Sequence, residues 1–257
     1  MSFALGLFKF SLFLILFIFI FLLVTDRYAN HYKLYMIFGK KGAGKSTTLA
    51  KLARQHIKRG WTVYSTEHID GVYYIPPEMI GFVELVDFNY HPFNINDYPK
   101  ILRPFMLIIE FFFPLRPHIL LLIDEVGMIY DNRDYKNFKK EVRDWFKLQR
   151  HRHVKCYLFS QTFDVDKKLR DLTDQMYLIC NLFRVFTYGK RIHKFITIKE
   201  SMTDDSSSLS EGLKFDSFFM WPFGSRTLTF IPRWTKYFDS FTAPPLPRGT
   251  WVRQERK

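Results

Sequence analysis

The sequence predicts an α/β fold, a parallel sheet flanked by helices, set behind one N-terminal membrane-spanning helix. Three observations carry that expectation. The chain opens on an almost uncharged apolar run; a glycine-rich loop joins a short β-rich run to an amphipathic segment; and a second apolar strand ends in two adjacent carboxylates. A length of 257 residues allows one sizeable core and a small appendage.

The opening run, "FALGLFKFSLFLILFIFIFLLV" from Phe3 to Val24, holds one charge, Lys9. As a helix it would measure roughly 33 Å, matching a hydrocarbon core of about 30 Å. A cleaved signal has a shorter apolar stretch and a small-x-small site, and "LLVTDRYANHY" offers a poor one. Arg27, Lys33, Lys40 and Lys41 follow the run against Lys9 alone within it, so the positive-inside bias places the C-terminal side in the cytoplasm.

Next, "KLYMIF" reads as a strand and "KSTTLAKLARQHIKRG" as a helix, with Leu49, Leu52, Ala53 and Ile57 on one face and Gly60 as its stop. Between them Gly39, Lys40, Lys41, Gly42, Ala43, Gly44, Lys45, Ser46 and Thr47 complete a Walker A pattern. Glycines let backbone N–H groups close around phosphates, the Lys45 ammonium reaches the β and γ oxygens, and the Ser46 hydroxyl can ligate Mg²⁺ at a helix N-terminus. ATP and Mg²⁺ are therefore the expected cofactors.

"ILRPFMLIIEFFFPLRPHILLLI" is broken by Arg103, Glu110, Pro114, Arg116 and Pro117, and reads as helix, loop and buried strand, not as a second span. The continuous run from Ile119 to Ile123 is what a strand covered on both faces requires. Asp124 after it suits a metal reached through water, and Glu125 suits the carboxylate that activates the attacking water. A helix follows, with Phe138, Val142, Trp145 and Phe146 inward and Lys136 among the outward cations. The strand "VKCYLFS" then ends at Ser160 and Gln161, and Gln161 can sense both the γ-phosphate and the lytic water. Arg150 and Arg152, within "RHRH", read either as a solvated helix end or as an arginine finger for a neighbouring subunit, as does Arg170.

From Arg184, "RVFTYGKRIHKFITIK" reads as a hairpin turning at Gly189-Lys190. The expected organisation is an anchor over 1–25, an ATPase domain over 26–200, a Ser/Asp-rich linker over 201–214, an aromatic-rich extension packing on the core over 215–241, and a Pro-rich basic tail over 242–257. Cys156 and Cys180 lack metal-ligand spacing and read as two reduced core thiols. A net charge of +13 and a pI near 9.6 favour polyanions, whether nucleic acid or anionic lipid.

Taken together, "GKKGAGKS", "LLLIDEVG", "RHRH" before a strand ending in "SQ", "DKKLRDLTDQMYLI" and, more loosely, "TKYFDSF" at 235–241 resemble the zonula occludens toxin (Zot)-like family, the membrane-anchored P-loop ATPases with which filamentous phages assemble and extrude virions. The resemblance implies an additional-strand, catalytic-glutamate P-loop fold, with the Walker B strand not directly beside the P-loop strand. It also implies a homo-oligomeric ring, a hexamer among the sizes open to it, at a bacterial inner membrane, moving single-stranded DNA or phage nucleoprotein with phage coat and secretion proteins as partners. By position, Lys45 and Ser46 would bind phosphate and Mg²⁺, Asp124 the metal and Glu125 the water, and Gln161 would sense the γ-phosphate. In familiar members the ATPase precedes the span; here the span comes first, and no stretch near 20 apolar residues follows Arg184. Three other readings stay open: a DNA-packaging or conjugative translocase, a membrane-associated partitioning ATPase prompted by Lys40, and a nucleotide-binding scaffold without turnover.

Overall fold

The computed structural model describes residues 2–26, 28–130, 139–163, 165–200, 207–217, 219–220 and 224–238. The expected tail over 242–257, residues 201–206 of the linker, Lys136 and Phe138 lie outside them. Helix α1 (Ser2–Asp26) is a single apolar rod, its side chains exposed over Phe8–Leu22. It is long and apolar enough to cross a membrane. After α1, residues 27–33 lead into the sheet: strand β1 (Leu34–Phe38), helix α2 (Lys45–Ile57) and strand β2 (Thr62–Ser65), which pairs with the short β3 (Tyr73–Tyr74). Helix α3 (Arg103–Phe112) precedes β4 (Ile119–Ile123), so the second apolar region is helix, loop and strand as expected. Short α4 (Val126–Ile129), α5 (Lys140–Leu148), β5 (Val154–Ser160) and α6 (Lys167–Asp171) lead to β6 (Gln175–Leu182), β7 (Phe186–Glu200), β8 (Ser207–Phe215) and β9 (Arg226–Phe230).

Among the described residues the strands form one sheet in the order β3-β2-β4-β5-β1-β6-β7-β8, with β9 also paired to β7. The strands from β3 to β6 are parallel; β7, β8 and β9 are antiparallel additions. Strand β5 lies between β1 and β4, which is the inserted strand of the additional-strand P-loop fold. The fold is a P-loop NTPase fold.

The apolar runs are explained by double burial. In β4, Ile119, Leu121 and Ile123 pack on the side of Trp145 and Phe146, while Leu120 and Leu122 face Leu49 and Ala53 of α2. Every residue of the strand is buried, so alternation has no solvent face to report.

Three expectations are corrected. No hairpin turns at Gly189-Lys190: β7 runs straight through it, and the turn lies at Phe183 and Arg184, at φ 53° and 59°. Gly189 is needed for closeness, because a Cβ there would lie 2.3 Å from Thr227 Oγ1 on β9. The linker is a strand over Ser207–Lys214, since β7 offers a free edge whose N–H and C=O groups must be paired. Cys156 is buried, but Cys180 is exposed at the outer end of β6 and is not a core thiol.

The aromatic-rich extension lies across α2. Lys51 Nζ donates to the Leu228 carbonyl (2.7 Å) and to Thr229 Oγ1 (3.0 Å), the Arg54 guanidinium sits 4.4 Å over the Tyr237 ring, and Trp234 is buried. These contacts use the aromatics for packing.

Candidate nucleotide site

In a parallel sheet the loops at the carboxyl ends of the strands form the crevice where ligands bind. Here the ends of β1, β4 and β5 bring the glycine loop, the Asp124-Glu125 pair and Gln161 together. The Gly39 N–H donates to the Ser160 carbonyl (3.1 Å), which ties the start of the loop to the end of β5. Lys40, Lys41 and Gly42 form the exposed tip, whereas Ala43 turns inward and is buried.

Gly44 closes the loop at φ 91°, ψ 31° and caps α2, so the first N–H groups of the helix open into the loop. An added Cβ would lie 1.9 Å from Thr187 Oγ1 of β7, so both the conformation and the space require glycine. The Thr47 and Thr48 hydroxyls both donate to the Gly44 carbonyl (2.7 and 2.9 Å). Thr47 thus serves the loop with its side chain, and Ser46, half-buried, remains the hydroxyl for a metal.

Lys45 is 8 % exposed; its Nζ donates to the Gly39 carbonyl (3.1 Å) and pairs with Glu125 Oε1 at 3.4 Å. Glu125 occupies the left-handed region, at φ 47°, ψ 45°, a conformation costing a non-glycine residue about 1–2 kcal/mol. That backbone turn aims the carboxylate across the crevice, where Gln161 Nε2 donates to the same Oε1 at 2.7 Å. Two side-chain contacts, from Lys45 and Gln161, meet the carboxylate that this strained backbone carries.

Asp124 is buried at the end of β4; its N–H donates to Thr66 Oγ1 (2.9 Å), and its Oδ1 accepts the Glu125 N–H (2.9 Å). Burial pushes its carboxyl up to about 6 from 3.8, with the neighbouring charges of Glu125 and Glu67 adding to the rise. The Glu125 N–H and the Lys45 ammonium oppose it. The folded chain therefore holds this proton more tightly than the unfolded one, so ionised Asp124 weakens folding above about pH 6, and the cost fades as pH falls towards 4. His56 works in the other direction. Burial lowers it to about 4, so it removes stability as pH falls through 6.5 towards 4. Without nucleotide, Asp124→Asn is expected to be more stable than the wild type at pH 7 by on the order of 2 kcal/mol and equal to it near pH 4. Paired melting curves at the two pH values check this, because His56 contributes equally to both proteins.

The residues fit a nucleotide with its metal. The loop supplies N–H donors and a buried ammonium for phosphate, and the Ser46 hydroxyl, with Asp124 acting through water, suits a Mg²⁺ whose shell substrate oxygens and water complete.

Arg150 and Arg152 do not join this chain's own site. They precede β5, so the length of that strand, roughly 20 Å, separates them from Gln161. Arg170, on α6, donates from Nη1 to the Phe163 carbonyl (2.7 Å), bracing the loop that follows Gln161. Three further residues shape the crevice. Thr66 anchors Asp124, Asn181 Nδ2 donates to the Gly42 carbonyl (3.1 Å), and Thr187 backs Gly44. Only Thr66, at the polar end of "TVYST", had a local signal, the end of a third strand.

Solved structures with a similar fold include the N-terminal domain of zonular occludens toxin from Neisseria meningitidis, at 14% identity and a TM-score of 0.40, over 74% of this chain and 97% of that one. They also include B204, the DNA-packaging ATPase from Sulfolobus turreted icosahedral virus (12% identity, TM-score 0.37, 63% and 93%). A third is the flagellar accessory protein FlaH from Methanocaldococcus jannaschii (13% identity, TM-score 0.34, 62% and 77%). No family model and no curated protein matches the chain.

Proposed function

We propose that this chain is a membrane-anchored ATPase that couples ATP hydrolysis to the assembly and extrusion of filamentous phage, moving single-stranded DNA through a bacterial inner membrane. The observation that carries the catalytic part is Glu125, held by Lys45 at 3.4 Å and Gln161 at 2.7 Å beside the glycine loop. Lys45 and the N–H groups at the start of α2 bind the phosphates. Ser46, and Asp124 through water, would hold Mg²⁺, which would supply charge neutralisation on the transferred phosphoryl group. Glu125 orients a water and takes its proton, and Gln161 fixes the carboxylate that does so.

The membrane part rests on α1 and on how closely it is joined to the domain. Only residues 27–33 intervene before β1, and the Tyr32 hydroxyl donates to the Pro117 carbonyl (2.9 Å), fastening that link to the sheet. The phage assignment rests on the motif resemblance, and the net charge of +13 suits a DNA path. A homo-oligomeric ring belongs to the same reading, as do phage coat and secretion proteins. Lys40, exposed at the loop tip, is the feature that keeps a partitioning ATPase as a second reading.

Phosphate release by the full chain in lipid vesicles tests the assignment. Stimulation by single-stranded DNA that weakens steeply with salt is expected. Stimulation by duplex DNA alone would favour a packaging or conjugative translocase, and indifference to both would favour partitioning.

A further inference from the structure

Helix α3 turns its apolar side outward. Phe105, Leu107 and Ile108 are 60, 53 and 55 % exposed, Met106 and Ile109 on the other side are half-buried, and no residue of the helix is buried. A helix on the surface of a water-solvated domain shows the reverse arrangement. Glu110, the helix's only carboxylate, is half-buried and its Oε2 accepts the Leu115 N–H (3.1 Å), so it is folded back onto the chain. At about 15 Å the helix is too short to cross a bilayer.

Its position says what covers it. Phe112 and Phe113 at the end of α3 line one cavity of about 310 Å³ together with Leu23 of α1, Tyr32 and Trp61. The C-terminal end of α3 thus meets the place where the apolar rod joins the domain, and aromatic rings collect there, as they do at membrane interfaces. This edge is where the parallel strands begin: Trp61 precedes β2, and the same cavity reaches His118, just before β4. Exposed Arg150 and Arg152 precede β5 on this edge, with the His153 ring edge-on to Tyr32 at 5.2 Å, and Lys100 and Arg103 flank the start of α3.

We infer that α3 lies in the lipid interface, its apolar side among the acyl chains and the surrounding cations at the headgroups, as a second membrane contact beside the anchor. Such in-plane helices bind through buried apolar area plus attraction to anionic lipid. The inference rests on reading α1 as a membrane anchor. It assigns "RHRH" to headgroups, and it turns the nucleotide crevice, at the opposite ends of the strands, away from the bilayer.

Site-directed spin labelling of the full chain tests it, in vesicles of phosphatidylcholine with one part in five phosphatidylglycerol. Cys180→Ser removes the exposed thiol, and single labels enter through Ile108→Cys, Phe105→Cys, Phe17→Cys in α1 and Lys140→Cys, exposed at the start of α5 and at the opposite end of that helix from Arg150, as a water reference. At 105 and 108 collision with oxygen is expected to exceed collision with a water-soluble nickel chelate several-fold, as at 17, with the ratio reversed at 140. A label at 17 in lipid with 105 and 108 in water would overturn this inference and leave the anchor standing. Labels at 17, 105 and 108 all in water would overturn both. Labels at 105 and 108 shielded from both reagents would show a protein cover, a second copy for instance, and would also overturn it.

Discussion

Glu125→Gln is expected to lower ATP turnover by roughly a thousandfold while leaving ATP binding within a few-fold of the wild type, since general-base contributions run at about 10²–10⁴. The substitution keeps the side-chain volume and leaves an amide oxygen to accept from Gln161 Nε2, now at 2.7 Å from Glu125 Oε1. It removes the capacity to take a proton and the charge that pairs with Lys45 at 3.4 Å, while Lys45 itself, Ser46 and the glycine loop remain to hold phosphate. Phosphate release beside equilibrium binding of a fluorescent ATP analogue separates the two effects. Loss of both together would show that Glu125 shapes the cradle instead of acting on water.

Gly44→Ala is expected to be the most damaging single methyl in the site. The left-handed backbone at φ 91° costs alanine about 1–2 kcal/mol, and forcing a Cβ to within 1.9 Å of Thr187 Oγ1 adds about 1–3 kcal/mol of overpacking. A melting temperature lower by roughly 10 °C follows, with loss of nucleotide binding as the loop opens. Thr187→Ala in the same chain should restore part of the stability, because the hydroxyl goes while the backbone strain and the Cβ of residue 187, at 3.1 Å, remain. Alone, Thr187→Ala should cost little, since its buried Oγ1 has no hydrogen-bond partner among the described residues. Differential scanning calorimetry of the three variants checks the order.

The two damaging substitutions fall on residues that the sequence singles out, and the reason is physical. A phosphate cradle has to be built from neighbours in the chain, because consecutive backbone N–H groups must converge on one anion, so Gly39 to Ser46 are contiguous and legible. A strand covered on both faces must be apolar throughout, so Ile119–Ile123 announces itself, and the carboxylates at its end mark the crevice. The residues that complete the site reach it from other strands: Thr187 and Asn181 have no local pattern to distinguish them, and only Thr66 stands at the legible end of a strand. The β6–β7 turn was obscured for another reason: positive φ is ordinarily the province of glycine, but here Phe183 and Arg184 adopt it while Gly189 serves close packing inside a strand. The serine-rich segment from Ser207 reads as loop by composition, yet pairing along β7 satisfies its backbone regardless of side chain. The edge where the parallel strands begin combines both lessons. The apolar run of α3 is plain in the sequence, but its outward orientation, and the company it keeps with α1 and "RHRH", emerge only when the strands are assembled.

The most direct test is Mg²⁺-dependent phosphate release by the wild-type chain in vesicles, read beside the Glu125→Gln protein. The account predicts steady turnover that stops on chelation of the metal and is lost in the variant. Turnover absent from the wild type, or equal in the two proteins, would contradict the assignment of this crevice as a hydrolytic site.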